Sequence, residues 1–311
     1  MILVPPYVQG DGEAAVAAAI RERRPDVDLV LAEDDEAMLA AAPDAEVLVT
    51  GRLPEELLEA APALQWVQAL SAGYDFLPVD ALAEREVALT TVSGLHAKPI
   101  GQQVLGYLLF FERRFDRAVA QQARREWDRY GGRELGDRTV GIVGVGAIGG
   151  QVAEYVSNFG AEVLGVRRDT SDVPDAVDAV YGPDELEAVL AESEYLVLAC
   201  PLTEATRGLI DADALATLPE GAVLVNVARG EIVDQAALVG ALEADELGGA
   251  ALDVFEAEPL PADSPLWERE DVLVTPHMAG STPHYWARAA DVFVANLERY
   301  RAGEPLENRV A

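Results

Sequence analysis

VGIVGVGAIGGQVAEYVSNFGAEVLGVRR, residues 140–168, is the stretch from which the fold can be read. A β-branched run around Val140, Ile142 and Val143 enters a turn with Gly144, Gly146 and Gly149 in the spacing G-x-G-x-x-G. Ile148, Val152, Tyr155, Val156 and Phe159 then recur at helical spacing, which predicts a helix burying that face. "EVLGV" begins a second strand. In such a strand, turn, helix and strand the three glycines do different things. One makes the tight turn, one lets backbone approach a pyrophosphate, and one lets helix pack on strand. The free amides at the helix start favour the anion. Gly144, Gly146, Ala147, Ile148 and Gly149 are therefore the expected dinucleotide phosphate site.

The second strand ends in Arg167 and Arg168, with Arg167 eighteen residues beyond Gly149, where a ribose-binding carboxylate would ordinarily sit. A carboxylate there repels a 2′-phosphate, whereas a planar guanidinium fork suits one. The pair predicts NADP in preference to NAD. Two alternatives stay open: solvated surface arginines, or Asp169 reaching the ribose.

Outward from this unit the chain alternates short aliphatic runs with Ala/Glu-rich helical stretches. "MILVP", "VDLVLAE", "EVLVTG", "LQWVQALSAG" and "VALTTVSG" are strand candidates before residue 97. "TVGIVGVG", "EVLGVRR", "EYLVLAC", "GAVLVNVARG", "GGAALDVF" and "DVLVTPH" follow. Alternating β and α segments imply parallel sheets covered on both faces, so the chain is α/β with two doubly wound parallel-sheet domains. "KPIGQQVLGYLLFFERRFDRAVAQQARREW" carries an uninterrupted helical pattern between the two series, and "TPHYWARAADVFVANLERYRAG" reads as a terminal helix stopped by Gly303. If that last helix returns to the first domain, residues 98–285 form a dinucleotide-binding domain inserted into a substrate domain of residues 1–97 plus 286–311, and the two crossings form a hinge.

There are 55 acidic and 23 basic residues, a formal net charge of -32, and Lys98 is the sole lysine. Such a surface repels nucleic acid and anionic membranes. It resembles proteins adapted to multimolar salt; a GC-rich genome would account for the missing lysines but not for the excess of acids. No apolar run is long enough for a membrane span and the start does not read as a signal peptide, so a soluble, cytoplasmic protein is expected. Cys200 is the single cysteine, which rules out an internal disulfide and a cysteine-rich metal site; a buried structural thiol is expected, and no metal.

Three further stretches, "NVARGEIVD", "ALDVFEAEPLP" and "VTPHMAG", complete a pattern. With the glycine motif they resemble the D-isomer-specific 2-hydroxyacid dehydrogenase family over essentially the whole chain. The resemblance implies a Rossmann cofactor domain inserted into a flavodoxin-like domain, with Arg229, Glu258 and His277 as the catalytic group. The chemistry asks for the same types: a cation for the keto acid carboxylate or carbonyl, an imidazole to donate a proton near neutral pH, and a carboxylate to fix its tautomer and favour its imidazolium form. The resemblance further implies Pro201 and Thr206 along the dinucleotide and Asp253 near its carboxamide. In "LSAGYDF" it implies Ala72 and Gly73 amides for the substrate carboxylate, with Tyr74, Phe76 and Trp286 as an apolar wall. His96 is expected as a solvated loop residue, His284 as structural and Lys98 on the surface. Gln102 stands where many relatives carry glutamate. A homodimer through the cofactor domains is implied. The expected function is hydride transfer between NADP(H), with NAD as the weaker cofactor, and a 2-keto acid/D-2-hydroxy acid pair, a glycerate or hydroxypyruvate reductase included. The rival is a cofactor-sensing regulatory protein, since the family resemblance extends to corepressors of this fold.

Overall fold

The computed structural model describes residues 1–7, 12–74, 76–171 and 173–310. The chain divides into two compact units, one formed by Met1–Leu95 with Thr282–Ala311 and the other by His96–Ser281.

In the first unit β1 (Ile2–Val4), β2 (Leu29–Leu31), β3 (Val47–Thr50), β4 (Trp66–Ala69) and β5 (Ala88–Thr90) form a sheet ordered β2-β1-β3-β4-β5. All its ladders are parallel, and the order is that of flavodoxin-like domains. β3 and β4 are buried on both faces, as a sheet covered by helices requires. The terminal helix Tyr285–Ala302 packs on this sheet: Phe293 stacks on Trp66 with centroids 5.2 Å apart, and the Trp66 indole N–H donates to Thr90 Oγ1 at 2.8 Å. Gly303, at φ 68, ends that helix in the left-handed conformation a side chain would resist.

The second unit holds β6 (Thr139–Val143), β7 (Glu162–Val166), β8 (Ala179–Tyr181), β9 (Tyr195–Leu198), β10 (Val223–Asn226), β11 (Gly249–Leu252) and β12 (Val272–Val274), ordered β12-β11-β10-β9-β6-β7-β8. This sheet is also all parallel. Chain order reverses between β6 and β9, so the carboxyl ends of these two strands flank the crevice where Rossmann folds bind dinucleotides. The helix Ala97–Glu112 packs against the helix Ala147–Ser157 at Gly101, where an added Cβ would lie 3.0 Å from the Tyr155 ring.

Several sequence expectations need correction. The uninterrupted helical pattern breaks: Ala97–Glu112 and Phe115–Arg124 are separate helices, and Arg114 between them is left-handed at φ 54. The cause is Glu112, which is fully buried: its Oε1 accepts from Tyr195 Oη at 2.7 Å and Arg138 Nε at 3.2 Å, and its carbonyl accepts from the Arg133 amide. That anchor stops the helix at the sheet and turns the chain outward. Phe159 does not join the buried face and is 50% exposed, because the helix has ended at Ser157 and Gly160 turns the chain. His96 is not a solvated loop residue but half-buried, and burial holds its imidazole below the usual histidine range. β8 was not foreseen.

Candidate active site

The glycine turn leaves the carboxyl end of β6 at Gly144, φ 101, where a Cβ would lie 2.6 Å from the Cys200 backbone nitrogen. A Cβ on Gly149 would lie 2.1 Å from the Gly144 carbonyl oxygen, so this residue seats the helix on its own turn. Gly146 differs: no atom lies within 4 Å of its Cβ position, and as the residue preceding Ala147–Ser157 it offers no side-chain cap. The amides of the first helical turn have no intrahelical acceptor and face an approach kept open by a missing side chain. Residues 144–149 thus fit a dinucleotide pyrophosphate, with Gly144, Gly146, Ala147, Ile148 and Gly149 around it. Cys200 lies behind the turn, buried, its thiol pushed up to about 11 by burial, which keeps it protonated and inert. Pro201 follows directly. Its carbonyl accepts from Thr206 Oγ1 at 2.7 Å, while Thr206 Oγ1 also accepts from the Thr203 amide at 2.8 Å. Pro201 and Thr206 are therefore drawn into one turn at the end of β9, beside the glycine turn.

At the end of β7 the Arg167 amide donates to the Tyr181 carbonyl of β8 at 3.0 Å, fixing the backbone from which Arg167 and Arg168 project. Arg167 is half-buried and Arg168 exposed. Asp169 turns onto Ser171, accepting from its hydroxyl at 2.6 Å and its amide at 3.0 Å. Those two bonds, with Arg167 nearby, hold the Asp169 carboxyl below its usual range.

Three loops leave the adjacent strands β10, β11 and β12. After β10, Asn226 fixes the turn: its Nδ2 donates to the Arg229 carbonyl at 2.9 Å and its Oδ1 accepts from the Ala228 amide at 3.0 Å. The Arg229 guanidinium reaches back to the Ala228 carbonyl at 2.8 Å. Gly230 lies so near the loop after β11 that a Cβ would come within 1.8 Å of the Phe255 carbonyl carbon. In that loop Glu258 Oε1 accepts from the Phe255 amide at 3.0 Å. Its Oε2 lies 2.7 Å from His277 Nδ1, on the loop after β12. A carboxylate at Nδ1 selects the Nδ1–H tautomer and leaves Nε2 to exchange a proton outward; the His277 side chain is 54% exposed. His277 takes φ 48, a left-handed conformation unusual for a residue with a Cβ, and its amide donates to the Asp253 carbonyl at 2.8 Å.

Asp253 itself is 2% exposed. Its Oδ1 accepts from Thr275 Oγ1 and the Met278 amide, its Oδ2 from the Ala279 amide, so the carboxylate is built into the His277 loop. Asn226, Gly230 and Thr275 were not singled out from sequence. The asparagine and glycine inside "NVARG" were the one signal available.

In the first unit, Ala72 and Gly73 lie half-buried on the loop after β4, where Ser71 Oγ donates to the Gly73 carbonyl at 2.8 Å. Tyr74 and Phe76 are exposed. Trp286 meets Tyr285 edge-on at 4.6 Å, and Tyr285 Oη donates to the Leu70 carbonyl at the root of the same loop. His284 precedes the terminal helix without capping it.

Residues 105–279 match the family described as D-isomer specific 2-hydroxyacid dehydrogenase, NAD binding domain. The chain is 34% identical over 292 residues to (S)-sulfolactate dehydrogenase of Chromohalobacter salexigens, covering 92% of this chain and 94% of that one. A D-isomer specific 2-hydroxyacid dehydrogenase from Xanthobacter autotrophicus, solved with NADPH and MES, aligns with a TM-score of 0.89 at 32% identity, over 100% of this chain and 98% of that one. An NADPH-dependent glyoxylate/hydroxypyruvate reductase from Sinorhizobium meliloti, solved with NADP and sulfate, aligns with a TM-score of 0.88 at 29% identity, over 99% and 97%. Matched by the family over more than half its length and by relatives over nearly all of it, the chain belongs to the D-isomer specific 2-hydroxyacid dehydrogenases, oxidoreductases that exchange a hydride between a 2-hydroxy acid and NAD(P).

Proposed function

We propose that this protein reduces small 2-keto acids to D-2-hydroxy acids, reversibly, with NADPH preferred over NADH. The observation that carries the reading is the 2.7 Å pair of Glu258 Oε2 and His277 Nδ1 on the same sheet edge as the glycine turn. The nicotinamide, when bound, supplies or accepts the hydride. In reduction the His277 imidazolium donates its Nε2 proton to the keto oxygen, and Glu258 stabilises the cation while holding the ring. Arg229 clamps the substrate carboxylate or polarises the carbonyl. The second unit serves as the dinucleotide-binding domain, with Pro201 and Thr206 along the cofactor. The first is the substrate domain, with Ala72 and Gly73 amides receiving the carboxylate and Tyr74, Phe76 and Trp286 forming an apolar wall. Arg167 and Arg168 grip the 2′-phosphate; the engagement of Asp169 by Ser171 supports this over a carboxylate on the ribose. Relatives named as dehydrogenases and reductases favour catalysis over cofactor sensing.

The test is turnover of 2-keto acids of increasing chain length, each with NADPH and NADH, beside a His277→Ala variant. The variant should bind NADPH normally and lose most of its turnover. A variant that keeps the wild-type rate removes His277 from the chemistry.

Two further readings concern the whole particle. Phe115, Val119 and Trp127 are 50%, 60% and 94% exposed along and just after the helix Phe115–Arg124. So apolar a face fits a second copy of this chain, and sedimentation should show a homodimer that Val119→Asp weakens. The net charge of -32 with a single lysine fits a protein working in concentrated salt. Among the described residues no helix is long and apolar enough to cross a membrane.

A further inference from the structure

We propose that Tyr107 is a positioning residue for His277, acting through Thr275 and Asp253; this rests on His277 being the proton-transfer group. Tyr107 lies on the helix Ala97–Glu112, is 2% exposed, and places its hydroxyl 2.5 Å from Thr275 Oγ1. Thr275 Oγ1 in turn lies 2.5 Å from Asp253 Oδ1. Counting protons fixes the directions. Thr275 has one hydroxyl hydrogen, and an ionised carboxylate can only accept, so that hydrogen goes to Asp253. Tyr107 must then donate its own hydrogen to Thr275, and its oxygen is left to accept from Gln103 Nε2 at 3.0 Å. Gln103, Tyr107 and Thr275 thus form a chain of donors aimed at one buried carboxylate. Burial, with the Asp253 charge adding to it, pushes the Tyr107 phenol above its usual range, so it remains a donor throughout the working pH range.

That carboxylate brackets His277. Asp253 accepts the Met278 amide at 2.9 Å and the Ala279 amide at 2.8 Å, and its carbonyl accepts the His277 amide at 2.8 Å. The left-handed His277 backbone is strained for a residue with a Cβ and persists only where neighbours over-determine it. These bonds do so, and the donor chain fixes where Asp253 can stand. Tyr107→Phe keeps the ring and the packing but leaves Gln103 Nε2 without its acceptor and Thr275 Oγ1 without its donor, so that Thr275 is held by Asp253 alone. The imidazole then samples positions off the productive one; since an error near 1 Å costs roughly a hundred-fold in rate, a partial loss of about ten-fold in kcat is expected. Tyr107 is buried and spends its hydroxyl on Gln103 and Thr275, so KM for NADPH should stay within about two-fold.

The experiment compares wild type, Tyr107→Phe, Thr275→Val and Thr275→Ser in two readouts: kcat and KM with NADPH and hydroxypyruvate, and amide hydrogen exchange. Tyr107→Phe and Thr275→Val should lower kcat at unchanged KM and raise exchange at Met278 and Ala279, while Thr275→Ser, which keeps the hydroxyl, should restore both. Wild-type kcat and exchange in Tyr107→Phe would overturn the proposal. So would faster exchange without loss of kcat, or exchange raised evenly across residues 96–281, the mark of a merely structural tyrosine. If wild type reduces no 2-keto acid, the assigned reaction fails on its own, and local exchange at Met278 and Ala279 still decides whether Tyr107 holds the His277 loop.

Discussion

Gly230→Ala tests how the Arg229 loop is seated. The new Cβ would stand 1.8 Å from the Phe255 carbonyl carbon, 2.1 Å from its oxygen and 2.3 Å from the Glu256 nitrogen. Ordinary carbon contacts begin near 3.4 Å, so the loops after β10 and β11 must part by about 1.6 Å, and all three obstructing atoms are backbone. Overpacking of this kind costs typically about 1–3 kcal/mol, and the rigidity of the obstacle places this site at the upper end. With roughly 2–4 °C per kcal/mol for a large domain, the melting temperature should fall by about 6–12 °C. The displacement also enters the site, because Glu258 hangs from the Phe255 amide and orients His277. A shift above 1 Å should lower kcat by about a hundred-fold or more. Gly240→Ala is the control: Gly240 is exposed within the helix Gln235–Glu243 with nothing within 4 Å of its Cβ position, so alanine should stabilise by about 0.5–1 kcal/mol and spare activity. Calorimetry and steady-state kinetics read both. Gly230→Ala with a wild-type melting temperature and rate would refute the steric reasoning.

Glu258→Gln should keep NADPH affinity while lowering kcat, because the His277 Nδ1–H loses the charged acceptor that orients the ring; a wild-type kcat would mean that the pair does not act in catalysis. Replacing Arg167 and Arg168 by alanine should weaken NADPH and spare NADH, by about 1.5–3 kcal/mol per charged contact or ten-fold or more in preference, and an unchanged cofactor ratio in molar salt would show them to be surface residues. Stability should fall as salt is removed, because self-repulsion among the acidic groups then acts over longer distances; a melting temperature indifferent to salt would count against adaptation to concentrated salt. Burial lowers the His96 titration in the fold, so below about pH 6.5 the unfolded chain binds the extra proton and stability is lost as pH drops. His96→Gln should therefore show a smaller fall in melting temperature between pH 7.5 and 5.5 than wild type, and an equal fall would remove His96 as a contributor.

Features set by local constraint were readable along the chain. The need for glycine at 144 and 149 follows from spacing alone, because a turn that tight and a helix that close exclude side chains whatever surrounds them, whereas Gly146 stands open. Strands buried on both faces, such as "VLVN" and "YLVL", announce themselves as continuous apolar runs. β8 does not: it is a short edge strand of half-buried residues inside an acidic loop. The break at Arg114 was illegible because its cause, the burial of Glu112 against Tyr195 and Arg138, joins residues far apart in sequence. The same distance hides the support of His277: Tyr107 and Thr275 are 168 residues apart, and nothing local in "LGYLLF" marks that tyrosine as more than core.

Lys98, exposed near the start of the helix Ala97–Glu112, gives the chain a property that has nothing to do with catalysis. It is the sole ε-amine in the sequence. Reagents that acylate lysines, which scatter over most proteins, would meet one side chain here. A fluorophore or a surface tether could thus be placed beside the point where the chain leaves Leu95 for His96, without any engineered cysteine.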